Sequence, residues 1–169
     1  MSDSLVIMGV AGCGKSSLGA AVATATGLVL VEGDDFHSLA SRAKMSQGIA
    51  LNDADRDGWL TTLGEQLRSH PDSLVLTCSA LKRAYRERLR HASPGLRFIF
   101  MDIDREQAQA RVAARAAAHF FSTTLVDSQF ATLEDPTGEA GVLRVDALES
   151  LNRLQLKVAA WLVASKEQA

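Results

Sequence analysis

The chain has 169 residues, 47% of them hydrophobic and 22% charged, and a formal net charge of −2. This size and composition are typical of one domain with its own core, which we take as residues 1–169, and the lack of a basic excess argues against nucleic acid as a partner. No apolar run reaches the length of a membrane span and no signal peptide is recognised, so we expect a cytoplasmic protein without a membrane partner.

The chain begins with an apolar run, a glycine-rich loop and a helical pattern. Leu5–Met8 is typical of a buried strand. Residues 16–26 are rich in Ala, Leu and Val and stop at Gly27, as expected of a helix with a C-terminal glycine. Residues 9–16 fit the pattern G-x-x-x-x-G-K-[ST], which predicts a loop that binds nucleotide phosphates.

The residue types of this phosphate loop suit a triphosphate and its metal ion. The glycines let backbone N–H groups point inward, and the following helix adds positive potential at its N-terminus. Lys15 would reach the β- and γ-phosphates and is also a candidate catalytic residue, while the Ser16 hydroxyl would ligate Mg²⁺. The predicted nucleotide-binding residues of the loop are Gly9, Gly12, Cys13, Gly14, Lys15, Ser16 and Ser17.

Strand and helix patterns alternate along the rest of the chain. Further buried strands are predicted over residues 28–32, 73–78, 96–101 and 142–145. Further helices are predicted over residues 38–45, 53–70, 82–90, 104–117, 125–133 and 148–164. This alternation is typical of an α/β fold in which a five-stranded parallel sheet is covered by helices on both faces.

Polar residues follow the second and third strands, at the sheet edge where ligands of such folds bind. Asp34 is the leading candidate for a catalytic or substrate-binding carboxylate, although a helix cap would also explain it. His37 could bind substrate hydroxyls or be a solvated loop residue. Lys82 lies at a strand-to-helix junction, where a functional role explains it better than a solvated face does.

Cationic side chains supply a second set of candidates. Arg56 can bind a carboxylate with two parallel hydrogen bonds, whereas Asp53 and Asp55 beside it are more simply explained as caps of a helix. Arg111 and Arg115 lie one helical turn apart and could clamp phosphates or stack on adenine, with an exposed arginine face as the alternative.

The two cysteines allow two interpretations. Cys13 lies in the phosphate loop and Cys78 ends the third strand, so in a sheet of this type their thiols could be neighbours. The helix N-terminus and Lys15 would favour the Cys13 thiolate, which oxidants attack. The alternative is a pair of inert thiols, and the sequence leaves the choice open.

Several separated stretches together resemble the gluconate kinase family of small P-loop kinases. The two most specific stretches are Asp55-Arg56-x-x-Trp59-Leu60 and Cys78-Ser79-Ala80-Leu81-Lys82. The others are residues 9–16, Gly33-Asp34-x-x-His37, Lys44-Met45, Leu51-Asn52-Asp53, Tyr85-Arg86, His119-Phe120 and Ser128-Gln129-Phe130. Together they extend over nearly the whole chain.

The resemblance implies that the protein uses ATP and Mg²⁺ to phosphorylate D-gluconate at O6 by in-line transfer, giving 6-phospho-D-gluconate. It also implies a homodimer and a mobile lid over about residues 115–125, with Arg111 and Arg115 closing over ATP. Asp34 would orient the acceptor hydroxyl and take its proton. The substrate-binding candidates are Asp34, His37, Arg56, Lys82, Arg86, His119 and Gln129.

Two alternatives stay open at this point. The first is a kinase of the same fold for another sugar acid or for shikimate, and the second is a nucleotide-binding module without turnover. The intact Lys15, Ser16 and Asp34 favour an enzyme. The third strand ends in Thr77 and Cys78 without an aspartate, so the sequence names no second metal ligand.

Overall fold

Five parallel strands form one sheet at the centre of the protein. The computed structural model describes residues 3–70, 72–115 and 123–168. The strands are β1 (Leu5–Met8), β2 (Val29–Glu32), β3 (Leu74–Thr77), β4 (Arg97–Asp102) and β5 (Val142–Asp146). They lie in the order β2-β3-β1-β4-β5, and each pair of neighbours is parallel. The predicted α/β fold with a five-stranded parallel sheet is confirmed.

Helices connect the strands and cover the sheet. Those of the described ranges are α1 (Lys15–Thr26), α2 (Leu39–Ser46), α3 (Asp53–Ser69), α4 (Arg83–Ala92), α5 (Arg105–Arg115), α6 (Thr123–Thr132) and α7 (Leu151–Glu167). A 3₁₀ helix, Gly33–Phe36, follows β2 directly and is absent from the sequence-based prediction. In the described part of the chain, none of the helices has the length and apolar character needed to cross a membrane.

Side-chain caps mark the starts of several helices, among them α3 and α5. Asn52 caps α3 by accepting from the Asp55 amide at 2.8 Å, and the Asp55 carboxylate accepts from the Asn52 amide at 3.0 Å. The predicted cap, Asp53 or Asp55, is therefore wrong, because Asp55 is the reciprocal partner in the first turn. At α5 the Asp104 carboxylate accepts from the Gln107 amide at 2.8 Å.

The central strand β1 carries the core on both of its faces. Leu5 and Ile7 belong to one hydrophobic cluster, which includes residues of α1 and α7, whereas Val6 and Met8 belong to a second cluster formed with α3 and α4. All four side chains are 0% exposed. Burial on both faces is what a central strand of a parallel sheet requires, and it explains why this run is continuously apolar.

The two thiols lie in different clusters of the core. Cys13 packs in the cluster of α1 and α7, and Cys78 packs in the cluster of α3 and α4. Both are free and buried, and burial raises the pKa of Cys78 to about 12. The two thiols thus pack in separate clusters rather than against each other. The Lys15 ammonium lies 3.9 Å from Cys13 Sγ, as predicted, but neither thiol is open to solvent. The structure favours two inert thiols.

A buried ion pair joins α4 to the loop that precedes β5. The Arg86 side chain is 0% exposed, and its Nε and Nη2 donate to the Glu139 carboxylate at 3.1 and 2.6 Å. Its Nη1 donates to the carbonyl oxygens of Ala80 and Leu81, and Nη2 also donates to that of Glu134. Each nitrogen of this guanidinium thus has a protein partner, as a buried charge requires.

We predict that Arg86→Met destabilises the fold, because it removes the completely buried cation that pairs with the Glu139 carboxylate and leaves Arg90, 2.9 Å away, as the remaining one. It also removes the donor to the carbonyl oxygens of Ala80 and Leu81. The expected loss is about 3–5 kcal/mol in the free energy of unfolding, measured by urea denaturation. Arg88→Met is the matched control on the same helix, since Arg88 pairs with Asp57 at 2.9 Å while both side chains are exposed to solvent. That control should lose less than about 1 kcal/mol. Equal losses in the two variants would contradict the structural role of Arg86.

Candidate active site

A pocket of about 500 Å³ opens at the carboxyl edge of the sheet. Its walls come from the phosphate loop, the 3₁₀ helix, α2, the first turns of α3, the end of α5, and α6. Loops that follow parallel strands meet at this edge, which is where ligands of open α/β sheets bind. The predicted candidates that line it are Gly12, Gly14, Lys15, Ser16, Ser17, Asp34, His37, Arg56, Arg115 and Gln129.

The phosphate loop has the backbone that its glycines predict. Gly14 caps the N-terminus of α1 with φ of 100°, a left-handed conformation that side chains disfavour. Gly12 has φ of 84°, and a Cβ atom there would lie 2.8 Å from the carbonyl oxygen of Ala108. Only glycine fits this position, because the loop passes against the backbone of α5. The first residues of α1, Lys15, Ser16 and Ser17, line the pocket, and the amide groups of a helix's first turn have no partner within the helix.

Two cations hold the loop in place. The Lys15 ammonium donates to the carbonyl oxygens of Gly9 and Val10 at 2.9 and 3.1 Å. Arg111 donates from Nη1 to the carbonyl oxygen of Cys13 at 3.2 Å and from Nη2 to that of Ala147 at 3.0 Å. Arg111 is absent from the pocket lining and braces the loop from behind. Of the two predicted arginines, Arg115 is the one that lines the pocket.

Glu32, the last residue of β2, is a functional candidate that the sequence reasoning missed. Its Oε2 accepts a hydrogen bond from the Ser16 hydroxyl at 3.1 Å and another from the Thr77 hydroxyl at 2.5 Å. The sequence contains one signal for this role, a carboxylate at the end of an apolar strand, next to the sheet edge where ligands bind. Within residues 3–70, 72–115 and 123–168, no group of three or more His, Cys, Asp or Glu side chains could hold a metal ion by itself.

The 3₁₀ helix places Asp34 and His37 at the pocket. A Cβ atom on Gly33 would lie 2.3 Å from the carbonyl oxygen of Thr77, so only glycine allows the chain to turn this close to β3. The Trp59 indole N–H donates to the Gly33 carbonyl at 2.7 Å, and its ring stacks on His37 with centroids 4.4 Å apart. His37 Nε2 lies 3.4 Å from the Asp34 carboxylate. The turn, the indole and the imidazole together orient Asp34.

The environment of Asp34 keeps its carboxylate ionised. The side chain is open to the solvent of the pocket, and partial burial by the pocket walls would by itself raise its pKa. The hydrogen bond with His37 and the attraction of Lys15, His37 and Arg42 outweigh this effect, so the pKa of Asp34 lies below its usual value of 3.8. Asp34 is therefore a charged hydrogen-bond acceptor at neutral pH.

Arg56 faces the pocket from the first turn of α3. Its side chain is largely buried, with 8% of the residue exposed, and Nη1 donates to the Tyr85 hydroxyl at 3.4 Å. In the described part of the chain, no carboxylate lies within ion-pair distance of its guanidinium. Unlike Arg86, Arg56 thus keeps hydrogen-bond donors for a ligand.

The structure places other predicted substrate residues outside the pocket. The prediction that Arg86 binds the substrate is wrong, because the core buries its side chain completely and Glu139 neutralises its charge. Lys82 pairs with the Asp53 carboxylate at 2.9 Å and does not line the pocket. Gln129 does line it, and its Oε1 accepts from the Ala11 amide at 2.6 Å. His119 and most of the predicted lid lie in residues 116–122, outside the described residues.

A parallel sheet with this phosphate loop at its carboxyl edge defines a P-loop protein. The model of the AAA domain family matches residues 5–136. The thermosensitive gluconokinase of Escherichia coli K12 is 39% identical over 148 residues, covering 85% of this chain and 79% of that protein. The chain belongs to the gluconokinase family of P-loop kinases.

Two further relatives agree with this assignment. The gluconokinase of Gluconobacter oxydans is 42% identical, over 83% of this chain and 80% of its own length. The crystal structure of a gluconokinase from Sinorhizobium meliloti 1021 superposes with a TM-score of 0.90 at 42% identity, covering 98% of this chain and 94% of that one. The fold agreement therefore extends over essentially the whole chain.

We predict that His37→Phe raises the pKa of Asp34. Phenylalanine keeps a ring to stack on Trp59 but removes the hydrogen bond and the charge that stabilise the ionised carboxylate. Because the wild-type pKa lies below 3.8, the wild-type group stays ionised as the pH falls to that value, whereas the variant takes up its proton at a higher pH. Carboxyl ¹³C NMR titration measures both. The exposed His91→Phe is the control and should leave the Asp34 titration unchanged; a shift of equal size would refute the pairing.

Proposed function

We propose that this protein transfers the γ-phosphoryl group of ATP to O6 of D-gluconate, giving ADP and 6-phospho-D-gluconate. One observation carries the proposal: a largely buried Arg56 without a carboxylate partner in the described residues shares a pocket with Asp34 and the phosphate loop. A carboxylate-binding group at one side and a hydroxyl-orienting group next to the phosphates suit a sugar acid as the acceptor. The similarity to gluconokinases supports D-gluconate in particular.

In-line phosphoryl transfer needs positioning and charge neutralisation more than covalent chemistry. The amide groups of the phosphate loop would hold the β- and γ-phosphates, and the Lys15 ammonium would move from the loop carbonyls to the phosphate oxygens. Arg115 would approach the nucleotide from α5. These groups stabilise the negative charge on the transferred phosphoryl group, where such contacts have their largest effect.

Asp34 would accept a hydrogen bond from the acceptor hydroxyl and direct its oxygen towards the γ-phosphorus. Its lowered pKa makes it a weak base at neutral pH. Orientation is therefore its main contribution, with proton uptake late in the transfer, when the hydroxyl has become acidic. His37 and Gln129 would contact further hydroxyl groups, and Arg56 would bind the carboxylate. His119 stays a prediction.

The residues present fit a magnesium ion bound with the nucleotide. Mg²⁺ prefers oxygen ligands, and the Ser16 hydroxyl and the Glu32 carboxylate already lie 3.1 Å apart at the mouth of the phosphate loop. We assign Ser16 as the direct ligand and Glu32 as the group that orients it or a bound water. When bound, Mg²⁺ would neutralise charge on the β- and γ-phosphates.

We also propose that the protein acts in the cytoplasm and that it forms a homodimer, the second of these as the resemblance implies. Leu156 and Val163 lie two helical turns apart on α7, and they are 56% and 60% exposed. They leave apolar surface free on a helix that covers the sheet. A dimer contact would have such surface available.

We predict that the wild-type protein releases ADP fastest with D-gluconate when it is compared with other aldonic acids and shikimate. Coupled ADP release gives the rates, and ³¹P–¹H NMR of the product identifies O6 as the phosphorylated atom. Lys15→Ala is the control for contaminating kinases and should lose turnover by about 10²–10³-fold, because it removes a charge contact in the transition state. A higher kcat/KM with another acid, or no turnover with any of them, would refute the proposal.

We predict that Glu32→Gln raises the Mg²⁺ concentration needed for half-maximal turnover by about tenfold, because it weakens the orientation of Ser16. The measurement is a Mg²⁺ titration at saturating ATP and D-gluconate. Asp35→Asn is the matched control, since it removes a carboxylate from the same pocket that does not bond to Ser16. The assignment of Glu32 fails if both variants shift the titration equally.

A further inference from the structure

We propose that Tyr85 and Asp53 are positioning residues that hold the Arg56 guanidinium free for the substrate carboxylate, and so determine the preference for an acid over a neutral polyol. The inference rests on the proposed function, because it concerns the same pocket and acceptor. It gives a role to three residues that carry the family resemblance but do not line the pocket: Asp53, Lys82 and Tyr85.

The tyrosine hydroxyl lies between the arginine and the aspartate. Arg56 Nη1 donates to the Tyr85 hydroxyl oxygen at 3.4 Å, and the Tyr85 hydroxyl donates to Asp53 Oδ1 in a short hydrogen bond. The guanidinium carbon also lies 5.6 Å from the centre of the Tyr85 ring. Asp53 and Arg56 at the start of α3 and Tyr85 in the first turn of α4 thus form a hydrogen-bonded series that ends at the pocket.

Only one assignment of the hydrogen-bonding protons is consistent with this hydrogen-bonded series. A tyrosine hydroxyl has one proton to donate, and donating it to Asp53 leaves its oxygen lone pairs for Arg56. Burial and the hydrogen bond to Asp53 raise the pKa of Tyr85, so the hydroxyl stays protonated at neutral pH. The hydrogen bonds from Tyr85 and Lys82 lower the pKa of Asp53, so the acceptor stays ionised. The direction of each bond is therefore fixed.

Lys82 explains why Asp53 does not neutralise Arg56. The Lys82 ammonium lies 2.9 and 3.2 Å from the two oxygens of the Asp53 carboxylate. Asp53 therefore has its own cation and meets Arg56 only through the neutral tyrosine hydroxyl. A direct Asp53–Arg56 pair would occupy the donors that a substrate carboxylate needs. The tyrosine acts as a spacer that orients the guanidinium without satisfying its charge.

Arg86 shows what happens when the spacer is missing. That guanidinium meets the Glu139 carboxylate directly and has carbonyl oxygens around it, and nothing is left for a ligand. Arg56 is nearly as buried, yet its side chain donates to a neutral hydroxyl, that of Tyr85. The contrast identifies Tyr85 and Asp53 as the feature that separates a binding arginine from a structural one.

The test is Tyr85→Phe, which keeps the ring and removes the hydroxyl. We expect the KM for D-gluconate to rise about tenfold, the value for loss of a hydrogen bond to a charged group, with a smaller change in kcat and none in the KM for ATP. D-gluconamide, a neutral analogue of the acid, separates recognition of the charge from general damage. The ratio of kcat/KM for D-gluconate over D-gluconamide should fall about tenfold in the variant.

Asp57→Asn and Arg88→Met are the matched controls. Their ion pair of 2.9 Å joins the same two helices on the solvent side, away from the pocket. Both controls should keep the wild-type ratio, because docking of α3 on α4 alone does not orient Arg56. Asp53→Asn is the second test variant; its side chain is 69% exposed, so the fold should tolerate the change, and the ratio should fall in the same direction.

The outcomes separate the two proposals. A wild-type protein that does not phosphorylate D-gluconate refutes the proposed function and the inference together. A wild-type protein that does so, with an unchanged ratio in Tyr85→Phe and Asp53→Asn, refutes the inference alone. A fall in the ratio that the Asp57→Asn and Arg88→Met controls share would also refute it, because helix docking would then be the cause.

Discussion

The close approach of Gly33 to β3 is the constraint on which the acceptor side of the pocket depends. No side chain fits there, because its Cβ would lie 2.3 Å from the Thr77 carbonyl oxygen. The chain therefore turns sharply at the end of β2, and the Trp59 indole holds that turn from α3. One turn thereby sets the distance of Glu32 from Ser16 and the direction of Asp34.

Three charged side chains of the pocket, Glu32, Asp34 and Arg56, each have a defined hydrogen-bond partner. Glu32 is held by hydroxyl groups, and Asp34 is held by His37 with nearby cations. Arg56 has a neutral partner and is the exception among the largely buried arginines. Since an isolated buried charge is unfavourable, a site that keeps one available must compensate elsewhere, which the stacked and hydrogen-bonded surroundings achieve.

Much of the fold could be predicted because its signals are local. The apolar run of β1, the phosphate loop and Gly27 at the end of α1 each follow from residues adjacent in sequence. The misplaced cap of α3 and the missed 3₁₀ helix are errors of one turn, where several polar residues compete for the same backbone groups.

The site was harder to predict because its chemistry depends on distant partners. Arg56 and Arg86 look alike in the sequence, and their different partners, among them Glu139 at 53 residues beyond Arg86, appear only in the structure. Glu32 meets a hydroxyl on β3 that is 45 residues away. Periodicity carries no information about such pairs, so residue type alone cannot distinguish a ligand-binding cation from one that stabilises the core.

The order of the elements along the chain has a consequence for how recognition of the acceptor can diverge between related kinases. The turn after β2, helix α2 and the start of α3 form one uninterrupted stretch of chain, whereas the phosphate loop and α5 lie outside it. Much of the pocket wall around Asp34 and Arg56 thus comes from one continuous segment of the chain, and the phosphate loop comes from another. Evolution or protein engineering could exchange that segment as one unit and so change the acid that the kinase accepts, while the phosphate loop stays unchanged.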